Sequence, residues 1–270
     1  MDKPVNGKID RLVWEAVRSG RPLTLCLTNF VTVTDCANAV LAVGGAPVMS
    51  LDSDDALELA GSAAAVVLNI GTVTASQLSA MLGTGQAART AGKPVVLDPV
   101  GAGATRVRMD ACMRILDEVG PSIIRGNASE ILALDARRAR KGPSRQKGVD
   151  AAGSEKIPQV EEAAASLSAR HSCVVAVSGE TDIIVQGQMR TDLSGGSELL
   201  TRVTGTGCML SAIVGCCAGA VPEKLFGAAM AAMSAMKEAG ARAEAKLAAP
   251  GSLGEFRSRL CDELSEIAVS

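Results

Sequence analysis

The sequence predicts an α/β protein: a mainly parallel central sheet with helices on both faces. Three observations carry that expectation. Short, apolar, β-branched runs recur at 23–27, 65–70, 95–97, 122–124, 174–177 and 183–185. Longer stretches with apolar residues at helical spacing lie among them, at 74–91, 109–119 and 160–169. The strand runs are apolar almost throughout rather than alternating, which is the pattern of strands buried on both faces.

After residue 207 the composition changes. Residues 208–220 and 224–246 are rich in Ala, Met and Leu and read as helices, and 255–268 closes the chain as another. Pro250-Gly251-Ser252 separates the last two. The polar, Lys/Arg/Gly-rich stretch 136–156 reads as an excursion inside the domain, and no internal repeat is evident. A single domain over residues 1–270 is the expectation.

A chain of 270 residues, 47% of them hydrophobic, can bury a sizeable core. Its net charge of −2 supplies no field for nucleic acid. The basic runs Arg137-Arg138-Ala139-Arg140-Lys141 and Arg145-Gln146-Lys147 are short and read as a solvated loop. Aromatic residues are confined to Trp14, Phe30, Phe226 and Phe256, too few for a base-stacking platform. A ring-shaped ligand would therefore be held largely by aliphatic and sulfur contacts.

The eight cysteines form no C-x-x-C pair and His171 is the only histidine, so no zinc site of the usual spacing can be written. Met-Asp-Lys-Pro-Val-Asn-Gly at the start has no apolar h-region, and no apolar run is long enough to span a bilayer. The expectation is a cytoplasmic protein without a membrane partner, its thiols reduced and mostly buried as small hydrophobes.

Ligands of parallel sheets bind outside the carboxyl ends of the strands. Here the runs end in Thr28-Asn29, Asn69-Ile70-Gly71-Thr72, Asp98-Pro99-Val100-Gly101, Arg125-Gly126-Asn127 and Ser178-Gly179-Glu180. Polar, charged and glycine residues thus collect on one edge, which is the predicted site. Val203-Thr204-Gly205-Thr206-Gly207-Cys208 leads directly into an apolar helix. Free N–H groups and the positive helix terminus would make an anion hole there. Glycines alone favour an ordinary tight turn before a core helix, and the pattern is neither a P-loop nor a dinucleotide fingerprint.

Asp98 could simply start an Asp-Pro turn, Asn127 could cap a helix with Glu130 completing a capping box, and Arg125 could pair with a carboxylate. Together they also supply two carboxylates able to hold Mg²⁺, directly or through water, and a guanidinium suited to phosphate.

These segments, with Leu27-Thr28-Asn29, Gly44-Gly45-Ala46-Pro47-Val48-Met49, Leu68-Asn69-Ile70-Gly71-Thr72, Leu97-Asp98-Pro99-Val100-Gly101-Ala102-Gly103-Ala104, Ile124-Arg125-Gly126-Asn127-Ala128-Ser129-Glu130 and Ser178-Gly179-Glu180-Thr181-Asp182, resemble hydroxyethylthiazole kinases in family order over roughly 20–220. Pro250-Gly251-Ser252 adds a weaker similarity. The resemblance implies a ribokinase-like fold and ATP-dependent phosphorylation of the thiazole alcohol in thiamine biosynthesis or salvage. It also implies a homotrimer with active sites between subunits.

Carried over position by position, it sets Met49 against the thiazole, Gly205 beside it and Asn29 near the pocket. Arg125 and Ser178 fall where the family contacts ATP, and Gly207 in the turn that cradles phosphate. Asp98 and Glu130 fall on the acidic, Mg²⁺-associated positions. Without the family, Met49 reads as core and Asn29 as a turn residue. The family often has Thr at Ser178, so a hydroxyl is kept and a methyl lost. Cys208 occupies the place where a ribokinase-like enzyme presents a catalytic base. A thiol at a helix N-terminus can have its pKa lowered, which makes a thiolate feasible. The alternative is that Cys208 only lines the pocket. Rival readings are a related kinase acting on hydroxymethylpyrimidine or a sugar, a nucleotide-dependent hydrate dehydratase of the same fold, and a non-catalytic sensor.

Overall fold

The computed structural model describes residues 6–139 and 157–269. Most of the 136–156 excursion, including Arg145-Gln146-Lys147, and the first residues of the chain lie outside them. Residues 136–139 end a helix rather than begin a loop.

The first half of the chain alternates helix and strand: α1 (Asn6–Gly20), β1 (Leu23–Leu27), α2 (Val33–Ala42), β2 (Ala46–Met49), α3 (Ser53–Ala60), β3 (Ala65–Asn69), α4 (Ala75–Thr90), β4 (Val95–Asp98), α5 (Arg106–Arg114), β5 (Ile123–Asn127) and α6 (Ala128–Ala139). The second half continues with α7 (Ile157–His171), β6 (Val174–Ser178), the antiparallel hairpin β7 (Asp182–Gln186) and β8 (Met189–Leu193), and then α8 (Thr206–Ala220), α9 (Leu225–Ala245) and α10 (Leu253–Val269).

The eight strands form one sheet in the order β2-β1-β3-β4-β5-β6-β7-β8. From β2 to β6 every neighbouring pair is parallel, and β7 and β8 are antiparallel additions. The strand residues alternate between two cores. Leu25, Val66, Leu68, Leu97, Ile124 and Val175 pack on the side of α3, α4, α5, α6 and α7. Cys26, Val67, Val96, Ile123 and Val174 pack on the side of α1, α2, α8, α9 and α10. Both faces are therefore buried, which explains why the runs read as continuously apolar. Leu68 is fully buried, and truncating it to Ala is worth about 2–5 kcal/mol of stability.

The structure adds elements the apolar runs do not announce. β2 carries Pro47, which removes a ladder donor, and it is tolerated because β2 is an edge strand. β8, Met-Arg-Thr-Asp-Leu, is polar and mostly exposed at the opposite edge. Helix α4 starts where expected, with Thr74 and Gln77 forming a reciprocal capping box. No helix among the described residues is long and apolar enough to cross a membrane.

Candidate active site

The parallel strands bring their last residues to one edge. Asn69 of β3 and Asp98 of β4 are register partners, and so are Asn127 of β5 and Ser178 of β6. The N-terminus of α8 meets this row from one face of the sheet.

Gly205 is the N-cap of α8 at φ +94°, a conformation that favours glycine, and a Cβ there would stand 2.8 Å from Thr32 Cγ2. The first turn of α8 carries Gly207 and Cys208. Its leading N–H groups have no partner within the helix, and the helix dipole adds partial positive charge.

Around Cys208 lies a closed network of amides. Asn29 Nδ2 donates to Asn69 Oδ1 at 3.0 Å and to Cys208 Sγ at 3.3 Å. Asn69 Nδ2 donates to Asp98 Oδ2 at 2.7 Å and to Cys208 Sγ at 3.2 Å. Asn69 Oδ1 also accepts the Gly71 N–H at 2.9 Å, so all four hydrogen-bonding positions of this side chain are used. Asn29 Oδ1 accepts from the N–H groups of Val31 and Thr32 and from Thr32 Oγ1, each at 3.1 Å. Asp98 Oδ2 takes a further bond from Ser211 Oγ at 2.8 Å, one helical turn beyond Cys208.

The other half of the edge is charged. Arg125, on β5 and 6% exposed, donates from Nη1 to Gly207 O at 2.9 Å and from Nη2 to Ser178 Oγ at 2.6 Å. A Cβ on Gly207 would stand 2.9 Å from Arg125 Nη1, so a larger residue there would displace the guanidinium from this position. Arg125 Nε is buried without a partner. Glu130 completes a capping box at the start of α6: Asn127 Oδ1 accepts from Glu130 N–H, and Glu130 Oε2 accepts from Asn127 N–H, both at 2.9 Å. Glu130 Oε1 accepts the Gly101 N–H at 2.8 Å.

Burial dominates the ionisation of these groups. The Asp98 carboxyl is pushed up by desolvation, against the pull of Arg125, Ser211 and Asn69. Glu130 is pushed up to about 7, first by desolvation and then by Asp98, against its two backbone donors and Arg125. The helix N-terminus does not lower Cys208. Burial first, and Asp98 second, push its thiol up, so the ligand-free protein holds a thiol rather than a thiolate at neutral pH.

The residues fit a Mg²⁺–nucleotide complex. Two buried carboxyls, both pushed up by desolvation and Glu130 further by Asp98, gain from a cation nearby, and an orphaned guanidinium N–H gains from an anion. Among the described residues there is no cluster of three or more His, Cys, Asp or Glu that could hold a metal. An ion here would complete its shell with phosphate oxygens and water, as Mg²⁺ commonly does.

The structure thus gathers Asn29, Asp98, Arg125, Glu130, Ser178, Gly205, Gly207 and Cys208 on one edge. Met49 ends β2 at the same edge and is half-buried against the α8 side of the sheet. Sequence reasoning did not single out Asn69 or Ser211 as site residues. Asn69 obeys the same strand-end rule as Asn29 and Asp98, whereas Ser211 sits within an apolar helix and carries no signal of its own.

Comparison with known proteins agrees with this geometry. The model of the hydroxyethylthiazole kinase family matches residues 14–270. A curated protein named hydroxyethylthiazole kinase from Oleidesulfovibrio alaskensis is 42% identical over 255 residues, covering 93% of this chain and 92% of its own. The solved structure of a hydroxyethylthiazole kinase protein from Pyrococcus horikoshii matches with a TM-score of 0.84 at 33% identity, over 96% of this chain and 93% of that one. A ribokinase-like superfamily protein from Enterococcus faecalis shares the fold, with a TM-score of 0.63 at 10% identity, over 96% of this chain and 94% of that one. The expected ribokinase-like fold is therefore the observed one, and the chain belongs to the hydroxyethylthiazole kinase family.

Proposed function

We propose that the protein, acting as one ribokinase-like domain, transfers the γ-phosphoryl group of ATP to the hydroxyl of hydroxyethylthiazole. The product is the thiazole phosphate used in thiamine biosynthesis or salvage. The observation that carries this reading is the meeting of Arg125, with its unpartnered Nε, and the Cys208 amide network at the N-terminus of α8.

Phosphoryl transfer passes through a loose transition state, so catalysis is mostly positioning and charge stabilisation. The leading N–H groups of α8 at Gly205–Cys208 cradle the transferring phosphate, and Arg125 neutralises its charge alongside. Ser178 and Gly207 hold the guanidinium on the nucleotide side. Asp98 and Glu130 would hold Mg²⁺, directly or through water, with each Glu130 oxygen also accepting one backbone N–H. Bound there, the ion would supply positive charge to the phosphates.

On the acceptor side, Met49, Gly205 and Asn29 border the thiazole. Asn29 and Asn69 fix Cys208 Sγ beside the acceptor hydroxyl. A loose transition state needs little proton removal before the phosphoryl group has largely left ADP, so a protonated thiol suffices there and the hydroxyl proton passes to an oxygen of the transferred phosphoryl group and then to solvent.

We further propose that the protein works as a homotrimer with active sites between subunits. Its support is the apolar surface beside the acceptor side: Phe30 is 70% exposed and Val31, Leu51 and Leu57 about half exposed, around an edge strand whose residues are all partly exposed. We place the reaction in the cytoplasm, where the ATP it consumes is at hand.

An ADP-release assay with MgATP and a panel of alcohols tests the acceptor. Hydroxyethylthiazole is expected to be the best substrate. Turnover of hydroxymethylpyrimidine or sugars without turnover of the thiazole would refute the assignment.

A further inference from the structure

Lys237 lies on α9 and is 8% exposed, a placement rare for lysine unless its charge is met. Its Nζ donates to Gly179 O at 3.0 Å, to Glu180 O at 2.9 Å and to Gly195 O at 3.0 Å, and Asp182 Oδ1 stands 3.3 Å away. An ammonium has three protons, and here three backbone carbonyls take them while a buried carboxylate balances the charge. No proton remains for substrate chemistry. Lys237 is a structural cation.

What it holds is the turn beside the nucleotide side. Gly179 and Glu180 link β6 to β7 directly after Ser178, and Asp182 Oδ1 also accepts the Gly179 N–H at 2.9 Å. Ser178 Oγ in turn receives Arg125 Nη2. A continuous line of contacts therefore runs from α9 through the 178–180 turn to the guanidinium. Gly195, after β8, brings a second loop onto the same ammonium.

We propose that Lys237 is a positioning residue for the nucleotide side of the site. Its ammonium acts as a built-in monovalent cation, fixing the 178–180 turn and, through Ser178, the aim of Arg125. Backbone carbonyls converging on one point are also how proteins replace the hydration shell of K⁺. A tethered ammonium meets the same demand with no ion to recruit, so the wild-type protein needs no added monovalent cation at this place. Removing the side chain leaves a small chamber of carbonyls and a carboxylate that NH₄⁺ or K⁺ fits and tetramethylammonium does not. The inference rests on the reading above that Arg125 and Ser178 face ATP.

The test is MgATP affinity by titration calorimetry without acceptor, for wild type and Lys237→Ala. Tetramethylammonium is the only monovalent cation at first, and NH₄⁺ or K⁺ is then introduced at equal ionic strength. The wild type is expected to bind equally well throughout. The variant is expected to bind about tenfold or more weakly, a loss of about 1.4 kcal/mol, and to regain most of it with NH₄⁺ or K⁺. Unchanged affinity in the variant, a loss that neither ion reduces, or a wild type that itself responds to the ions would each overturn the proposal. If the variant unfolds in tetramethylammonium, the same ions must restore its melting transition, and failure to do so counts equally against it. A wild type that binds no MgATP would sink the nucleotide assignment instead, and the variant's melting response would still decide the role of the cation.

Discussion

On one side of the α8 N-terminus, Asn29, Asn69, Asp98 and Ser211 bond to one another or to Cys208, and Asn69 has no hydrogen-bonding capacity left over. On the other side, Arg125 is buried with Nε unpartnered, and Glu130 titrates near 7. The first region is satisfied in the absence of ligand. The second is charged and incompletely matched. Satisfied networks rigidify a site, whereas unmatched buried charge is a standing cost that an oppositely charged ligand relieves. On the proposed function, the amides place the acceptor rigidly, the guanidinium and Glu130 meet the developing phosphate charge, and Asp98 faces both regions.

The largest effect is expected at Arg125. Arg125→Ala removes the charge aimed at the transferring phosphate and should lower turnover by about 10²–10³-fold, the scale of losing a preorganised donor. Steady-state kinetics with circular dichroism as the fold control checks this. Near-wild-type turnover in a folded variant would break the comparison on its charged side.

Glu130 sharpens it through pH. The folded carboxyl titrates at about 7, against an ordinary value of about 4.3 in the unfolded chain. Between those values the folded state binds more protons than the unfolded state, so stability of the ligand-free protein falls as pH rises through that window. The full effect is at most about 3.7 kcal/mol, from about 2.7 pKa units at about 1.36 kcal/mol each, and is reached above pH 7. Glu130→Gln should flatten this slope, although it also leaves one of two backbone donors unpaired and so lowers stability at pH 5. Denaturant unfolding at pH 5 and 7.5 reads both. MgATP should likewise flatten the wild-type slope, because a cation favours the ionised carboxylate. An unchanged slope in the Gln variant would show that Glu130 is not the titrating group.

The smallest effect is expected at Cys208. An obligatory general base contributes about 10²–10⁴-fold, whereas a thiol that only positions the acceptor should cost about tenfold or less when replaced by Ser. Cys208→Asp should also retain activity, since a carboxyl oxygen can accept from Asn29 and Asn69 as the sulfur does, although burial and Asp98 would raise its pKa and any charge on it would compete with phosphate for the α8 donors. Single-turnover rates across pH separate the cases. A dead Ser variant that still binds both substrates would make Cys208 the base.

The same contrast governed what could be read before the fold was known. The buried strands β1, β3, β4, β5, β6 and β7 announce themselves because both faces are covered, and the polar residues after them mark the site edge. β2 and β8 do not, because edge strands tolerate Pro47 or polar residues that a central strand would exclude. Asn127 and Glu130 were legible as a capping box from local spacing alone. That Glu130 also titrates near 7 was not, since it follows from burial and from Asp98 on a neighbouring strand. Cys208 shows the same limit: its place at a helix start argues for a lowered pKa, and tertiary burial reverses the sign. Ser211 and Lys237 lie in helices rich in apolar residues, where only tertiary contacts reveal what their polar atoms meet.

The fate of the phosphoryl group tests the proposed reaction most directly. With enzyme in excess over [γ-³²P]ATP and hydroxyethylthiazole present, a single turnover should move the label from ATP to the thiazole alcohol. Thiazole phosphate and ADP should form in equal amounts, and without the alcohol the label should stay on ATP. Label released as inorganic phosphate at the same rate with and without the thiazole, and none found on its hydroxyl, would contradict it.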